Sequence, residues 1–421
     1  MTTKINALKG LGFLILYLFL GSCVKENITI PKPALTYTIE DVTVNGTLLK
    51  KISGRVNESL SLGNTYQYLL SGIVSIEDSL MIEKGTIFYA DTSKLTSLVL
   101  QRGAIIVAEG SIMEPIVFTS VKQLSGTAQA GDWGGIHING KASLNNRRSS
   151  LVELIGKYGR TDMAANDLDM SGTLDYIRIE YAGKEMNGES GAFNLNGVGN
   201  TTLIRHIQVY KSASNAIRCR GGAVNLKFMM VTQPAGKGIR WDDGWRGFGQ
   251  YWVVNFNESI NDTITAIEGR SGTINDFPIS SPILSNITIV GLGQSLESPP
   301  VRGVRFRNAT FGKMYNSIIT NCQRGIRADY SLPYITNGNL VFSNNNIFNT
   351  MPIYYSSSSS IADIFGLPQY NNTSDFILMD TFIGVSSNNV FDISTIHPWF
   401  DNVSFKGAVH PDNNWTLSWT R

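Results

Sequence analysis

Residues 216–245, AIRCRGGAVNLKFMMVTQPAGKGIRWDDGW, hold two copies of one short pattern. Ile217-Arg218-Cys219-Arg220 recurs 22 residues later as Ile239-Arg240-Trp241-Asp242, with the small residues Ala216 and Gly238 just ahead of the two copies. The pattern continues as Ile267-Glu268-Gly269-Arg270, Val304-Arg305-Phe306-Arg307 and Ile326-Arg327-Ala328-Asp329, at spacings of 28, 37 and 22 residues. A second row runs in step: Ile207-Gln208-Val209-Tyr210, Met229-Met230-Val231-Thr232, Trp252-Val253-Val254, Ile287-Thr288-Ile289-Val290 and Ile318-Ile319-Thr320. Self-similarity at such a period marks a repeat architecture. A coil of this length holds two or three strands of ~5 residues joined by tight corners.

Helical apolar spacing is absent, while β-branched residues and asparagines dominate. The reading is therefore an all-β chain folded as a right-handed parallel β-helix. Alternation of side chains along a strand sends Ile217, Ile239, Ile267, Val304 and Ile326 inward, stacked at roughly 4.8 Å. Upstream, SLMIEKGTIFYA (79–90) and GDWGGIHING (131–140) carry the same alternation and glycine corners. The polar stretch 145–171 breaks the rhythm and reads as a loop excursion. From Ser356 a run of five serines marks the end of the regular coils. The expected organisation is a leader over 1–22, a tether with N-terminal strands over 23–70, the β-helix over 71–350 and a less regular C-terminal cap over 351–421, since an open end would expose apolar core and strand edges.

The leader reading rests on Lys4 and Lys9, the apolar run Leu11 to Leu20, and then Gly21-Ser22-Cys23. That run is shorter than the ~20 residues of a membrane span. Leu20-Gly21-Ser22-Cys23 resembles a bacterial lipobox, which implies lipidation at Cys23 and an envelope location, with the lipid as the only membrane contact. Cys219 and Cys322 remain, too few for a disulfide scaffold in an exported protein, so buried unpaired thiols are expected. Across 421 residues the net charge is +2 with 16% charged side chains. That balance excludes a nucleic-acid binder relying on a strong positive field. A monomer is expected.

The segments GDWGGIHING, SGTLDYIRIEYAG (171–183), GGAVNLKFMMV (221–231), WDDGWRGFGQYW (241–252) and FKGAVHPDNNWTLSWTR (405–421) resemble signatures of a family of Bacteroidota surface lipoproteins of β-helical fold. The resemblance spans about residues 70–421. It implies fold and envelope location and brings no settled activity.

Alternation also gives two outward columns. One is Arg218, Arg240, Glu268, Arg305 and Arg327; the other is Arg220, Asp242, Arg270, Arg307 and Asp329. Seven arginines face three acids, an excess of four on a chain whose total is +2. Guanidinium forks match carboxylate and sulfate groups in a bidentate way. The leading expectation is thus a non-catalytic groove for an extended acidic polysaccharide or another surface partner, with Trp245, Tyr251 and Trp252 as stacking platforms, at least one of which belongs to the core.

The alternative is a polysaccharide lyase or glycoside hydrolase of pectate-lyase-like fold, with Arg240, Asp242 and Asp243 as catalytic candidates. Neighbouring aspartates in a regular strand face opposite ways and cannot flank one bond unless a turn at Gly244 reorients them. No cofactor is expected. Calcium, which a lyase would use, wants six to eight oxygens, and no second acidic cluster supplies them. His137, His206, His397 and His410 form no metal-binding or nucleophile motif and read as structural or surface residues.

Overall fold

The computed structural model describes residues 36–145, 150–152, 154–160, 167–186, 191–293, 299–329, 332–355 and 364–421. The leader, Cys23 and the start of the tether lie outside them. The first two strands, Thr36–Val44 and Thr47–Val56, form an antiparallel hairpin. Asn45 and Gly46 turn it with φ of 47° and 79°, the geometry that matches the twist of paired strands.

From there every pairing along the solenoid is parallel, and the chain winds as a right-handed parallel β-helix. One stack of strands includes Ser97–Leu100, Gly135–Asn139, Phe193–Asn196, Ile217–Arg220, Ile239–Asp242, Ile264–Gly269, Val301–Phe306, Arg324–Ala328 and Tyr354–Tyr355. Two further stacks share the long strands Gly172–Glu180, Leu203–Tyr210, Asn225–Thr232, Phe248–Asn255 and Ile283–Val290. Each long strand bends once, at a residue of positive φ: Tyr176, His206, Phe228, Tyr251 and Asn286. Asn316 and Asn344 continue that corner on later coils, with φ of 53° and 57°. Asparagine tolerates this left-handed geometry because its short amide bonds locally.

Ile217, Ile239, Ile267, Val304 and Ile326 do point inward and are buried in the continuous core. Burial of such a side chain stabilises by roughly 1.5–3 kcal/mol, and stacking on successive coils repeats that gain. Cys219 and Cys322 are unpaired and fully buried.

The chain leaves the coils in an excursion and in a C-terminal strap. Between Asn139 and Gly172 the chain makes an excursion with a small antiparallel hairpin, Ser150–Val152 with Gly156–Tyr158. Leu144, Ile155 and Tyr158 pack with Val99 and Met186 into a separate apolar cluster on the first stack. The C-terminal segment 391–421 runs back along the side of the solenoid as a strap. Buried amide side chains on three coils clamp its backbone in both directions. Asn316 bonds Phe391 N and O at 2.8 Å each, Gln250 bonds Asp401 N and O at 3.0 Å each, and Gln208 bonds Arg421 N at 2.8 Å and O at 3.1 Å. The strap covers outward apolar residues, including Met230 and Val253 under Ala408 and Val409.

Candidate functional site

The first stack carries the arginines in the register alternation requires. Arg218 pairs with Arg240, Arg240 with Glu268, Glu268 with Arg305, and Arg305 with Arg327 on five successive strands. His137 and Asn194 extend this column on the two preceding coils. The second column begins with Asn139, Asn196, Arg220 and Asp242.

The charged face splits into two regions of different character. Around Asp242 the charges are enclosed: its carboxylate receives Arg218 at 3.0 Å, Arg240 at 3.2 Å and Arg220 at 4.0 Å. The side chains of these arginines are 11%, 14% and 5% exposed. The excursion seals them, with Arg220 donating to the Tyr158 hydroxyl at 3.0 Å and Asn145 bonding Asp243 O at 2.9 Å and Ser271 O at 2.8 Å. Burial acts to raise the Asp242 pKa, but Arg218, Arg220 and Arg240 outweigh it and hold the carboxyl below the usual range. This corrects the open groove expected at Arg218, Arg220 and Arg240: these side chains point out of the coil yet are roofed and paired.

The strand ends at Asp242, and Asp243 with φ of 55° and Gly244 with φ of 89° form a left-handed turn. The turn brings Asp243 into the same electrostatic neighbourhood. Burial first, then the Asp242 charge, push Asp243 up to about 6, against the pull of the three arginines. His137 lies nearby in the column, buried, with neither ring nitrogen hydrogen-bonded. Burial and the charges of Arg220 and Arg218 push it down to about 3 and keep it neutral.

Further along, the face opens. The side chains of Arg305, Arg307 and Arg327 are 24%, 33% and 22% exposed. Arg305 and Arg327 converge on Asp329 at 2.8 and 2.7 Å. Glu268 lies 4.0 Å from Arg305 and 3.8 Å from Arg307. Arg302 and Arg324, paired in register, add a third file beside these columns. Burial and then the charges of Arg324, Arg327 and Arg305 lower the Arg302 pKa. The Tyr355 ring lies under Arg324 at 4.2 Å and under Arg327 at 5.0 Å, a cation–π shelf. Among the described residues on this stack, Arg270, Arg302, Arg305, Arg307, Arg324 and Arg327 lie beside Glu268 and Asp329, six positive charges and two negative ones.

Arg302 and Arg324 escape a reading by strict alternation, which sends them inward. A Cβ built on Gly303 would lie 2.9 Å from Ile319 Cγ2 in the core, so Gly303 itself points inward next to inward Val304. Two successive inward positions, Gly303 and Val304, shift the parity and turn Arg302 out.

The tryptophans are also corrected. Trp245 is fully buried and donates to Val224 O at 3.1 Å, and Trp252 is fully buried and donates to Leu226 O at 2.9 Å. Both fill the bore of the solenoid and neither can stack on a ligand. Tyr251 belongs to the bent corner, away from the arginine stack. Among the described residues no group of three or more His, Cys, Asp or Glu side chains is placed to hold a metal ion.

A continuous parallel solenoid with a ladder of arginines and acids on one outward strand stack defines a parallel β-helix protein. Residues 54–377 match the model of the pectate-lyase-like β-helix domain, and the chain belongs to that family. Comparison with curated proteins and with solved structures gives no match.

Proposed function

We propose that this protein is a lipid-anchored envelope protein, similar to the Bacteroidota surface lipoproteins, that binds an extended acidic polysaccharide without cleaving it. The single observation that carries this reading is the excess of arginine over acid on the strands Ile264–Gly269, Val301–Phe306 and Arg324–Ala328. Six partly exposed arginines on and just after these three adjacent strands repel one another, and an anionic ligand relieves that repulsion. Arginine forks suit the planar carboxylates and sulfates of such polymers. The membership in a pectate-lyase-like family is consistent with a carbohydrate ligand.

The test is a triple substitution of Arg302, Arg307 and Arg324 to Ser, which leaves the buried Asp242 cluster intact. Binding to an acidic polysaccharide should weaken at least tenfold and lose most of its salt dependence. Unchanged binding and salt dependence would remove the reading. Lipidation at Cys23 is tested by labelled fatty-acid incorporation, which Cys23→Ala should abolish, and surface exposure by protease treatment of intact cells.

A second reading, hydrolysis or elimination on a polysaccharide, draws on the contrast between Asp242, kept ionised, and Asp243, raised to about 6. Carboxyls whose environments push their pKa values apart suit general acid and base roles. Against it stands the enclosure of Asp242 by three arginines. Release of new reducing ends from any polysaccharide, lost in Asp243→Asn, would favour this second reading over the first.

A further inference from the structure

Between the strap and the bent corner of the solenoid lies a cavity of about 600 Å³, within the size range of small-molecule sites. Its floor is a ladder of rings from four successive coils. Tyr176 stacks on His206 at 4.2 Å, His206 on Phe228 at 4.5 Å, and Phe228 on Tyr251 at 4.8 Å. Tyr176 ends the ladder, stacked on one side only among the described residues. From the strap, Trp415 meets His206 and Phe228 at angles of 63° and 65°, and His410 and Asn413 complete the opposite wall.

The charges in this cavity are paired internally. Asp401 receives Lys227 at 3.0 Å, and Asp175, behind His206, receives Arg205 at 2.7 Å. An ionic ligand finds no excess charge to meet. The two histidines are fixed in complementary tautomers by their partners. His206 Nδ1 lies 2.8 Å from the Asp175 carboxylate, which only accepts, so Nδ1 carries the proton and Nε2 is left as an acceptor in the neutral ring. His410 Nδ1 accepts from Asp412 N at 3.0 Å, so its Nε2 carries the proton and donates. With the Asn413 amide, the walls offer donors and acceptors together above an aromatic floor.

An uncharged ligand with apolar C–H faces and a rim of hydroxyls, each both donor and acceptor, fits this combination. We propose that the cavity under the strap binds a neutral saccharide. The site differs in place and chemistry from the arginine face and stands or falls independently of it.

The test is saturation-transfer NMR on the full chain in mild detergent with neutral gluco-, manno-, galacto- and xylo-hexasaccharides. At least one should receive transfer at its ring C–H protons. His410→Ala and Asn413→Ala, changes on the strap's outer turn, should each weaken Kd at least fivefold, while Arg302→Ser should leave it within twofold. No transfer to any of the four sugars at millimolar concentration would overturn the proposal. So would a Kd that is unchanged in both strap variants, or one that rises more than twofold with Arg302→Ser.

Discussion

Arg305 and Arg327 stack on adjacent coils and reach opposite oxygens of one carboxylate, Asp329, at 2.8 and 2.7 Å. With Arg307 and Glu268 beside them, three guanidiniums meet two carboxylates there and leave a net positive charge at that point of the solenoid. At Asp242 the same motif recurs with three arginines, but there the excursion excludes water. Similar sequence repeats thus produce one structural cluster and one solvent-facing cationic surface.

The enclosed cluster makes a stability prediction. Removing one partner of a buried ion network strands the others and costs about 3–5 kcal/mol. Asp242→Asn, nearly isosteric, should lower unfolding free energy by that amount in urea titrations. Arg307→Ala, at an open position, should cost under about 1 kcal/mol. Equal effects would contradict the division of the face into a sealed and an open part.

Asp243 makes a pH prediction. Its folded pKa of about 6 lies above the ~3.9 of an unfolded chain. A raised acid contributes its full stability below the unfolded value and loses it as pH climbs through the folded value. From this group the protein should lose on the order of 1–3 kcal/mol between about pH 4 and 6. Asp243→Asn cannot ionise, so its stability relative to wild type should rise across that window. A difference that does not change with pH would count against the assignment.

Amide clamps hold the strap to the solenoid alongside its apolar contacts. Asn316→Ala removes both bonds to Phe391 and places alanine at a φ of 53°. The expected loss is roughly 2–4 kcal/mol, together with faster proteolysis within residues 391–421. Asn316→Gly keeps the backbone geometry at ease and should recover about 1 kcal/mol of it. Identical behaviour of the two variants would show that the left-handed backbone carries no cost there.

The fold was legible because a stacked core repeats its apolar residues: Ile217, Ile239 and Ile267 sit above one another and so recur in sequence. Arg218 and Arg240 were legible as a column for the same reason, since each follows an inward isoleucine. Their enclosure was not, because the lid that includes Tyr158 comes from a segment without period. Trp245 was misplaced because an aromatic-rich turn looks like a surface, whereas a wide bore needs large side chains to fill it. His206 gave no signal because its ladder partners lie on other coils and its bend breaks the alternation. The strap was hidden because its residues bond partners as distant as Gln208 from Arg421.

The most direct test of the account is calorimetric titration of the full chain with matched polymers. Polygalacturonate, alginate and chondroitin sulfate supply the anions, and fully methyl-esterified polygalacturonate supplies the same backbone without charge. The account predicts binding to at least one anionic polymer, weakening steeply between low and 0.5 M salt (roughly tenfold or more for several arginine contacts, by analogy with other polyanions), and no comparable binding to the ester. Equal affinity for the charged and esterified polymers, or no binding to any anionic one, would contradict it.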